Sequence, residues 1–553
     1  MGSRDGPIPG HCDKRNSVKP RIVLITYLAE EFTMRFRFQA TCVLAAVSLL
    51  GMPLFAHADS LTVKTEQGKV HGKTINEGKV KAFLGLPYAA PPVGDLRWKA
   101  PQPPARWKGD RDATKFGAHC AQNRVFEDMI FQDAGPSEDC LFLNVYAPAD
   151  ATEKSKLPVM FWIHGGGFAG GASSEPRHNG DFLPLKGVVL VTINYRLGVF
   201  GFLATADLAK EADGAAGNYG LMDTIAALQW VKANIGKFGG DPNNVTIFGE
   251  SAGSFAVSTL MASPMAKGLF HKSIGESGGA IGRGPLNYEP LADREVKDAQ
   301  WVASTGAKSL AELRAMSTDA ILDAVKKKQG GFPPDVDGKV LTESVDDTYA
   351  AGKQAHVPLI GGWNADEGNF FVRNGMTAAQ WKENATKMFK ERADEFLKLY
   401  PADDDAQAVR AAIDFGSDQF IALSTWRWLE AHLKTGESPV YRYHFELAAT
   451  PSKYHPGTFA FHSDDIEYVF GTLDTRPEWK VRPEDRTLSD AVMTYWTNFA
   501  KTGDPNGGGL PSWPKYTQEG YALIHLNSEI TSGPDILRAR YEFLEKGMPP
   551  LHF

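Results

Sequence analysis

The sequence predicts an α/β fold, and three observations carry that expectation. The apolar, β-branched run Val245 to Phe248 reads as a buried strand; it leads into Gly249, Glu250, Ser251, Ala252 and Gly253, and the small apolar stretch Ser254 to Leu260 after them suits a helix. A second apolar run, Phe161 to Ile163, also ends at a cluster of glycines. Finally, 553 residues with 43% hydrophobic and 11% aromatic content can bury a large core, and neither an internal repeat nor a low-complexity linker divides it. One large domain with insertions is the simplest reading. The insertions fall at Asn287 to Thr342 and Thr377 to Asp414, where charge patterns such as Trp381 to Lys398 predict peripheral helices.

The strand, turn and helix around Ser251 spell G-E-S-A-G. A serine hydroxyl is a weak nucleophile at neutral pH, so it needs an adjacent base and a backbone that thrusts Oγ out of the sheet. Glycine on either side is expected to permit the strained turn, and the helix that follows would aim its first N–H groups at the reacting oxygen. The pentapeptide by itself is equally compatible with a glycine-flanked loop serine.

Its context is the segment Phe161 to Gly171, FWIHGGGFAGG. Acyl transfer develops negative charge on a carbonyl oxygen, and backbone N–H donors reach that oxygen where no Cβ intervenes. Gly166 and Gly167 are candidates for two such donors and Ala252 for the third. A plain tight turn is the alternative; a phosphate loop is disfavoured, because no G-K-[ST] follows and the spacing does not fit G-x-G-x-x-G. His164 reads as a residue that orients the loop.

From these motifs outward the chain resembles the type-B carboxylesterases, the cholinesterase and carboxylesterase branch of the α/β-hydrolases. The resemblance is carried by FLGLPYAAPPVGDLRW (83 to 98), SEDCLFLNVYAP (137 to 148), VVLVTINYRLGVFGFL (188 to 203) and the long segment from Gly217 to Gly253. NADEG (364 to 368), HSDDIEYVFG (462 to 471) and WTNFAKTGDPN (496 to 506) extend it toward the C-terminus. It implies a large, mostly parallel central β-sheet flanked by helices, with helical insertions around an active site. It also implies the order serine, acid, histidine along the chain, which assigns the acid to Glu367 and the histidine to His462. Chemistry alone does not separate Glu367 from its neighbour Asp366, and the preference rests on the motif. His455, beside Pro456 in a polar stretch, is the decoy histidine and reads as a solvated loop residue.

The implied activity is hydrolysis of small-molecule carboxylic esters through an acyl-enzyme, with no metal or organic cofactor. Lactones, amides and thioesters would use the same intermediate, and a catalytically silent binding module is the other class to weigh. Glu250 and Asp465 match positions that in the family form a buried carboxylate network; solvent-facing charge is the alternative. Phe370 and Phe371 follow the acid where relatives line the substrate pocket, with core packing as the competing reading. Between Cys120 and Cys140 stand Phe126 and Phe131 but no tryptophan. Cholinesterases use a tryptophan there to hold a quaternary ammonium, so this departure argues against a true cholinesterase.

Residues 34 to 58 read as a secretory signal peptide: Arg35 and Arg37 precede a short apolar run that contains Pro53 and ends in Ala56, His57 and Ala58, an A-x-A cleavage site. A membrane anchor is the weaker alternative because the run is short. Residues 1 to 33 do not fit a signal peptide, and a start at Met34 makes them an extension outside the natural product. The mature chain would then be one catalytic domain, 59 to 553, periplasmic or secreted, without a stable membrane anchor. Cleavage removes Cys12 and Cys42 and leaves Cys120 and Cys140, an even pair that in an exported protein implies a disulfide; the family bridges these positions. A net charge of −7 over the whole chain and the absence of a basic stripe exclude nucleic acid as a partner.

Overall fold

A strand covered on both faces must be apolar at successive positions, and Leu157 to Ile163 meets that demand: Val159, Phe161 and Ile163 enter one core while Met160 and Trp162 enter the other. The computed structural model, which describes residues 61–282, 288–328, 330–371, 375–476 and 478–547, places this strand inside an eleven-stranded sheet. In chain order the strands are β1 (Lys73–Ile75), β2 (Val80–Pro87), β3 (Phe142–Pro148), β4 (Leu157–Ile163), β5 (Val189–Ile193), β6 (Gly240–Glu250), β7 (Lys272–Glu276), β8 (Leu359–Asn364), β9 (Val440–Phe445), β10 (Ala522–Leu526) and β11 (Thr531–Pro534). Their spatial order is β11-β10-β9-β8-β7-β6-β4-β5-β3-β2-β1. The run from β10 to β5 is parallel throughout, and β11 at one edge and β3, β2 and β1 at the other are antiparallel. The expected large, mostly parallel sheet is therefore what forms.

The order reverses at β4 and β6. From β4 the chain crosses to β5 on one side, and from β6 it continues to β7 on the other. Such a reversal opens a crevice beyond the carboxyl ends of the two strands, the place where open α/β sheets bind their ligands. Both glycine-rich turns emerge there. Helices cover the two faces, with α1 (Tyr219–Asn234) and α2 (Ala252–Ala262) on one core and α8 (Pro483–Thr502) on the other.

The expected insertions are helical. The first carries α3 (Leu291–Thr305) and two shorter helices. The second carries α4 (Ala378–Phe389), a 3-10 turn, the short helix Ala393–Leu399 and α5 (Asp405–Ser417). One turn of π-helix, Asp418–Ala422, joins α5 to α6 (Leu423–Thr435). The remaining helix used below is α7 (Ile466–Phe470). Among the described residues no helix is long and apolar enough to cross a membrane; the signal-peptide and extension assignments for residues 1 to 58 lie outside the described residues.

Cys120 and Cys140 are joined by a disulfide across a separation of 20 residues. The loop they close is tied to the glycine turn after β4, because Gln122 Nε2 donates to the Gly171 carbonyl at 2.9 Å and the Gly171 amide donates to Gln122 Oε1 at 2.8 Å. Replacing both cysteines by serine is expected to lower unfolding free energy by roughly 3 kcal/mol on loop-entropy grounds. Urea unfolding of the oxidised protein and the double variant measures this, and equal midpoints would refute it.

Candidate active site

Ser251 stands between β6 and α2 with φ +53° and ψ −122°, a backbone conformation that L-residues rarely adopt. The positive φ of the turn sits on the serine itself. The flanking glycines permit the turn, as expected, by leaving room for it. A Cβ on Gly253 would lie 1.9 Å from the Ile163 carbonyl oxygen, and one on Gly249 would lie 2.5 Å from the same atom. Only bare backbone lets the turn approach β4 so closely. Gly253→Ala is expected to abolish accumulation of folded enzyme or lower its stability by at least about 1–3 kcal/mol; a variant with the parental melting temperature would contradict this packing account.

The turn is held from its other side by β7, where the Ser251 amide donates to the Glu276 carbonyl at 2.8 Å. Across the crevice, Gly166 and Gly167 have φ values of +102° and +63°. A Cβ on Gly166 would collide with the Gly170 carbonyl oxygen at 2.2 Å, whereas the position of one on Gly167 is open. Among the described residues no acceptor takes the amide hydrogens of Gly166, Gly167 or Ala252, and a Cβ on the preceding Gly165 would lie 3.1 Å from Ser251 Cβ. His164 is buried, donates from Nδ1 to the Gly165 carbonyl at 2.8 Å and stacks on Tyr195. Burial pulls its imidazole down to about 4, so it serves the turn as a neutral group.

His462 lies in the loop between β9 and α7. Its Nε2 is 2.9 Å from Ser251 Oγ, and its Nδ1 is 2.5 Å from Glu367 Oε2. Glu367, three residues beyond β8, is fully buried, and its other oxygen accepts from Ser277 Oγ at 2.5 Å and from the Asn364 amide at 2.9 Å. Asp366 faces elsewhere. Its Oδ1 pairs with Arg410 at 2.5 Å and its Oδ2 accepts from the Ala460 amide at 2.9 Å, so it ties the end of β8 to the loop that carries His462. Of the two acids that chemistry left open, Glu367 is the one hydrogen-bonded to the histidine.

Glu250 and Asp465 are both buried, which removes the solvent-facing alternative. Glu250 Oε1 is 3.3 Å from His462 Nε2, and burial pushes its carboxyl up to about 8. Asp465 accepts from Tyr443 at 2.9 Å and from Asn364 at 3.2 Å, and burial raises it to about 6. Burial also disfavours the His462 cation, but the negative charges of Glu250 and Glu367, with the hydrogen bond to Glu367, outweigh it and raise the imidazole to about 9. The first of those charges vanishes once Glu250 carries its proton. Glu367 and Asp465 are the other charges that raise the imidazole.

Phe370 is 57% exposed and Phe371 36%, so neither packs in the core. Their rings are 4.0 Å apart, and both stand edge to face with Phe420 at 5.2 Å. Phe420, in the π-helical turn, also packs edge to face on His462 at 5.1 Å. A cleft of about 610 Å³ opens beside this group, lined by Phe370, Ile413, His455, Phe461 and His462 among others. His455 is not the solvated residue expected; it is half-buried and stacked on Phe461 at 3.6 Å, with Asp128 3.9 Å from its Nε2. In the disulfide loop Phe126 is exposed, while Phe131 packs on His119 at 4.3 Å. Ser277, Asn364 and Phe420 escaped the sequence reading. Ser277 and Phe420 act on residues far away in the chain, and so does the Asn364 side chain, which reaches Phe461 and Asp465 although the residue stands inside NADEG.

Similarity to known proteins agrees with this geometry. The family model described as the carboxylesterase family matches residues 59–544. The fumonisin B1 esterase of Sphingopyxis macrogoltabida is 37% identical, over 87% of this chain and 89% of that protein. The para-nitrobenzyl esterase of Bacillus subtilis is 36% identical, over 88% and 99% respectively. A crystal structure of a Geobacillus stearothermophilus carboxylesterase superposes with a TM-score of 0.75 at 32% identity, covering 87% of this chain and 99% of that one. With a strained serine at the sheet's switch point and this likeness along nearly its whole length, the chain belongs to the carboxylesterase family.

Proposed function

We propose that the protein is an exported serine hydrolase of small carboxylic esters that works through an acyl-enzyme on Ser251. The observation that carries this reading is the unbroken hydrogen-bonded line from Ser251 through His462 to Glu367, and it is supported by the amides of Gly166, Gly167 and Ala252, which have no acceptor among the described residues. Ser251 Oγ attacks the ester carbonyl while His462 Nε2 takes its proton. The amides of Gly166, Gly167 and Ala252 receive the oxyanion of the tetrahedral intermediate. Glu367 holds the histidine's tautomer and stabilises its cation, and the imidazolium then protonates the leaving alkoxide. Water repeats the sequence on the acyl-enzyme, and every step balances without a metal or cofactor. Phe370, with Phe371 beside it, gives the substrate cleft an aromatic wall.

Export rests on the sequence of residues 34 to 58 and is supported by the Cys120–Cys140 bridge, since disulfides persist in oxidising compartments. The catalytic domain is then residues 59 to 553. Inactivation by an activated aryl phosphonate tests the chemistry, because a serine facing both a base and an oxyanion hole reacts with it. Peptide mapping is expected to find the adduct on Ser251. An adduct on another serine, or none while esters are still hydrolysed, would reject the assignment.

A further inference from the structure

We infer that His444, Glu446 and His525 form a binding site for one divalent transition-metal ion, Zn²⁺ in the first instance, at the carboxyl ends of β9 and β10. The two strands are parallel neighbours, and His444 and His525 are direct cross-strand partners. Glu446 lies two residues beyond His444, and its amide continues the ladder by donating to the Leu526 carbonyl at 2.8 Å. Side chains two apart in a strand share a face. The backbone therefore sets all three groups on one face, on rigid elements of the kind that hold ligands precisely.

Their side chains already converge. His444 Nδ1 is 2.8 Å and His525 Nδ1 is 2.6 Å from the same atom, Glu446 Oε1, and one ligand atom from each residue lies within 4.8 Å of the others. The side chains are 12%, 27% and 21% exposed for His444, Glu446 and His525, so an ion can enter while the ligands stay packed. His444 is further steadied by Trp363, edge to face at 6.3 Å. Two imidazoles and one carboxylate are a known Zn²⁺ ligand set, with bonds of about 2.0–2.2 Å and a fourth position for water. Binding would shift the proton of each neutral imidazole from Nδ1 to Nε2, and the two nitrogens would move apart from Glu446 Oε1 by roughly 0.6 Å to admit the ion between them. Mg²⁺ and Ca²⁺ require more oxygen ligands than this site offers. The site stands on strands that carry neither Ser251 nor the glycine turn, and its metal takes no part in acyl transfer. Its expected effect is to clasp β9 to β10 near the edge of the sheet.

The test is a titration of chelator-stripped enzyme with ZnCl₂ against a chromophoric chelator. One equivalent is expected to bind the parent chain and the His462→Ala variant alike, at least about tenfold more weakly to Glu446→Gln, and not at all to His525→Ala. Melting temperature should rise with ZnCl₂ in the parent and stay constant in His525→Ala, as ligand binding to the native state requires, and MgCl₂ should not substitute. Should His525→Ala fail to fold, X-ray absorption of the Zn²⁺-loaded parent reads the same point, with two imidazoles and one carboxylate expected. Absence of saturable binding up to about 1 mM, stoichiometry unchanged in both Glu446→Gln and His525→Ala, or a different ligand count would overturn the site. None of these outcomes bears on the esterase reading, which the phosphonate experiment tests separately.

Discussion

Replacing Ser251 or His462 by alanine is expected to lower kcat on an activated aryl ester by about 10⁶-fold, with the double variant scarcely worse than either single one. Ser251 Oγ and His462 Nε2 share one hydrogen bond of 2.9 Å, so removal of either end leaves the other without a proton to give or take. What is expected to survive is substrate binding and the proposed amide donors, worth a residual acceleration of about 10³–10⁴ over water in triad hydrolases. Burst titration on purified variants, with circular dichroism to establish folding, measures the loss. Additive losses, or a Ser251→Ala enzyme within about tenfold of the parent, would mean that another nucleophile carries the reaction.

The second large effect belongs to the acid. Glu367→Gln preserves size and removes charge, and should cost on the order of 10⁴ in kcat by analogy with other triad acids. Asp366→Asn should cost far less, because its carboxylate is engaged with Arg410 and the Ala460 amide and does not touch His462. A pH profile separates loss of charge from simple disruption. Burial lowers the His462 imidazole, and the charges of Glu250 and Glu367 raise it above its ordinary value. Removing the Glu367 charge therefore lowers it, and the acid limb of kcat/KM in the Glu367→Gln enzyme should move to lower pH. If Asp366→Asn is the inactive variant and Glu367→Gln stays active, the acid has been misassigned, although the acyl-enzyme route through Ser251 would stand.

Much of this molecule could be read from local sequence because its chemistry is announced by backbone. The turn at Ser251 and the turn after β4 need small residues at fixed offsets from buried strands, and such constraints are written contiguously as G-E-S-A-G and H-G-G-G. Apolar runs long enough for a doubly covered strand and charged helical patterns in the insertions are equally local. The fold class was legible for that reason, as were the candidate nucleophile and the candidate donor glycines. Even there the atom that Gly249 and Gly253 make room for was not, because that atom, the Ile163 carbonyl oxygen, belongs to a strand some ninety residues away.

Partnership across the chain is a different kind of information. His462 meets Ser251 over 211 residues and Glu367 over 95, and without the resemblance to a family no pattern in the sequence would have joined them or chosen Glu367 over Asp366. Burial of Glu250 and Asp465, the hydroxyl of Ser277 against Glu367, the ring of Phe420 against His462 and the convergence of His444 with His525 all depend on which strands lie side by side. Periodicity and turn residues encode a segment's own conformation. The neighbours that set a side chain's charge, orientation and reach arrive only when the sheet assembles, and for this protein they decide which of its many acids and histidines do chemistry.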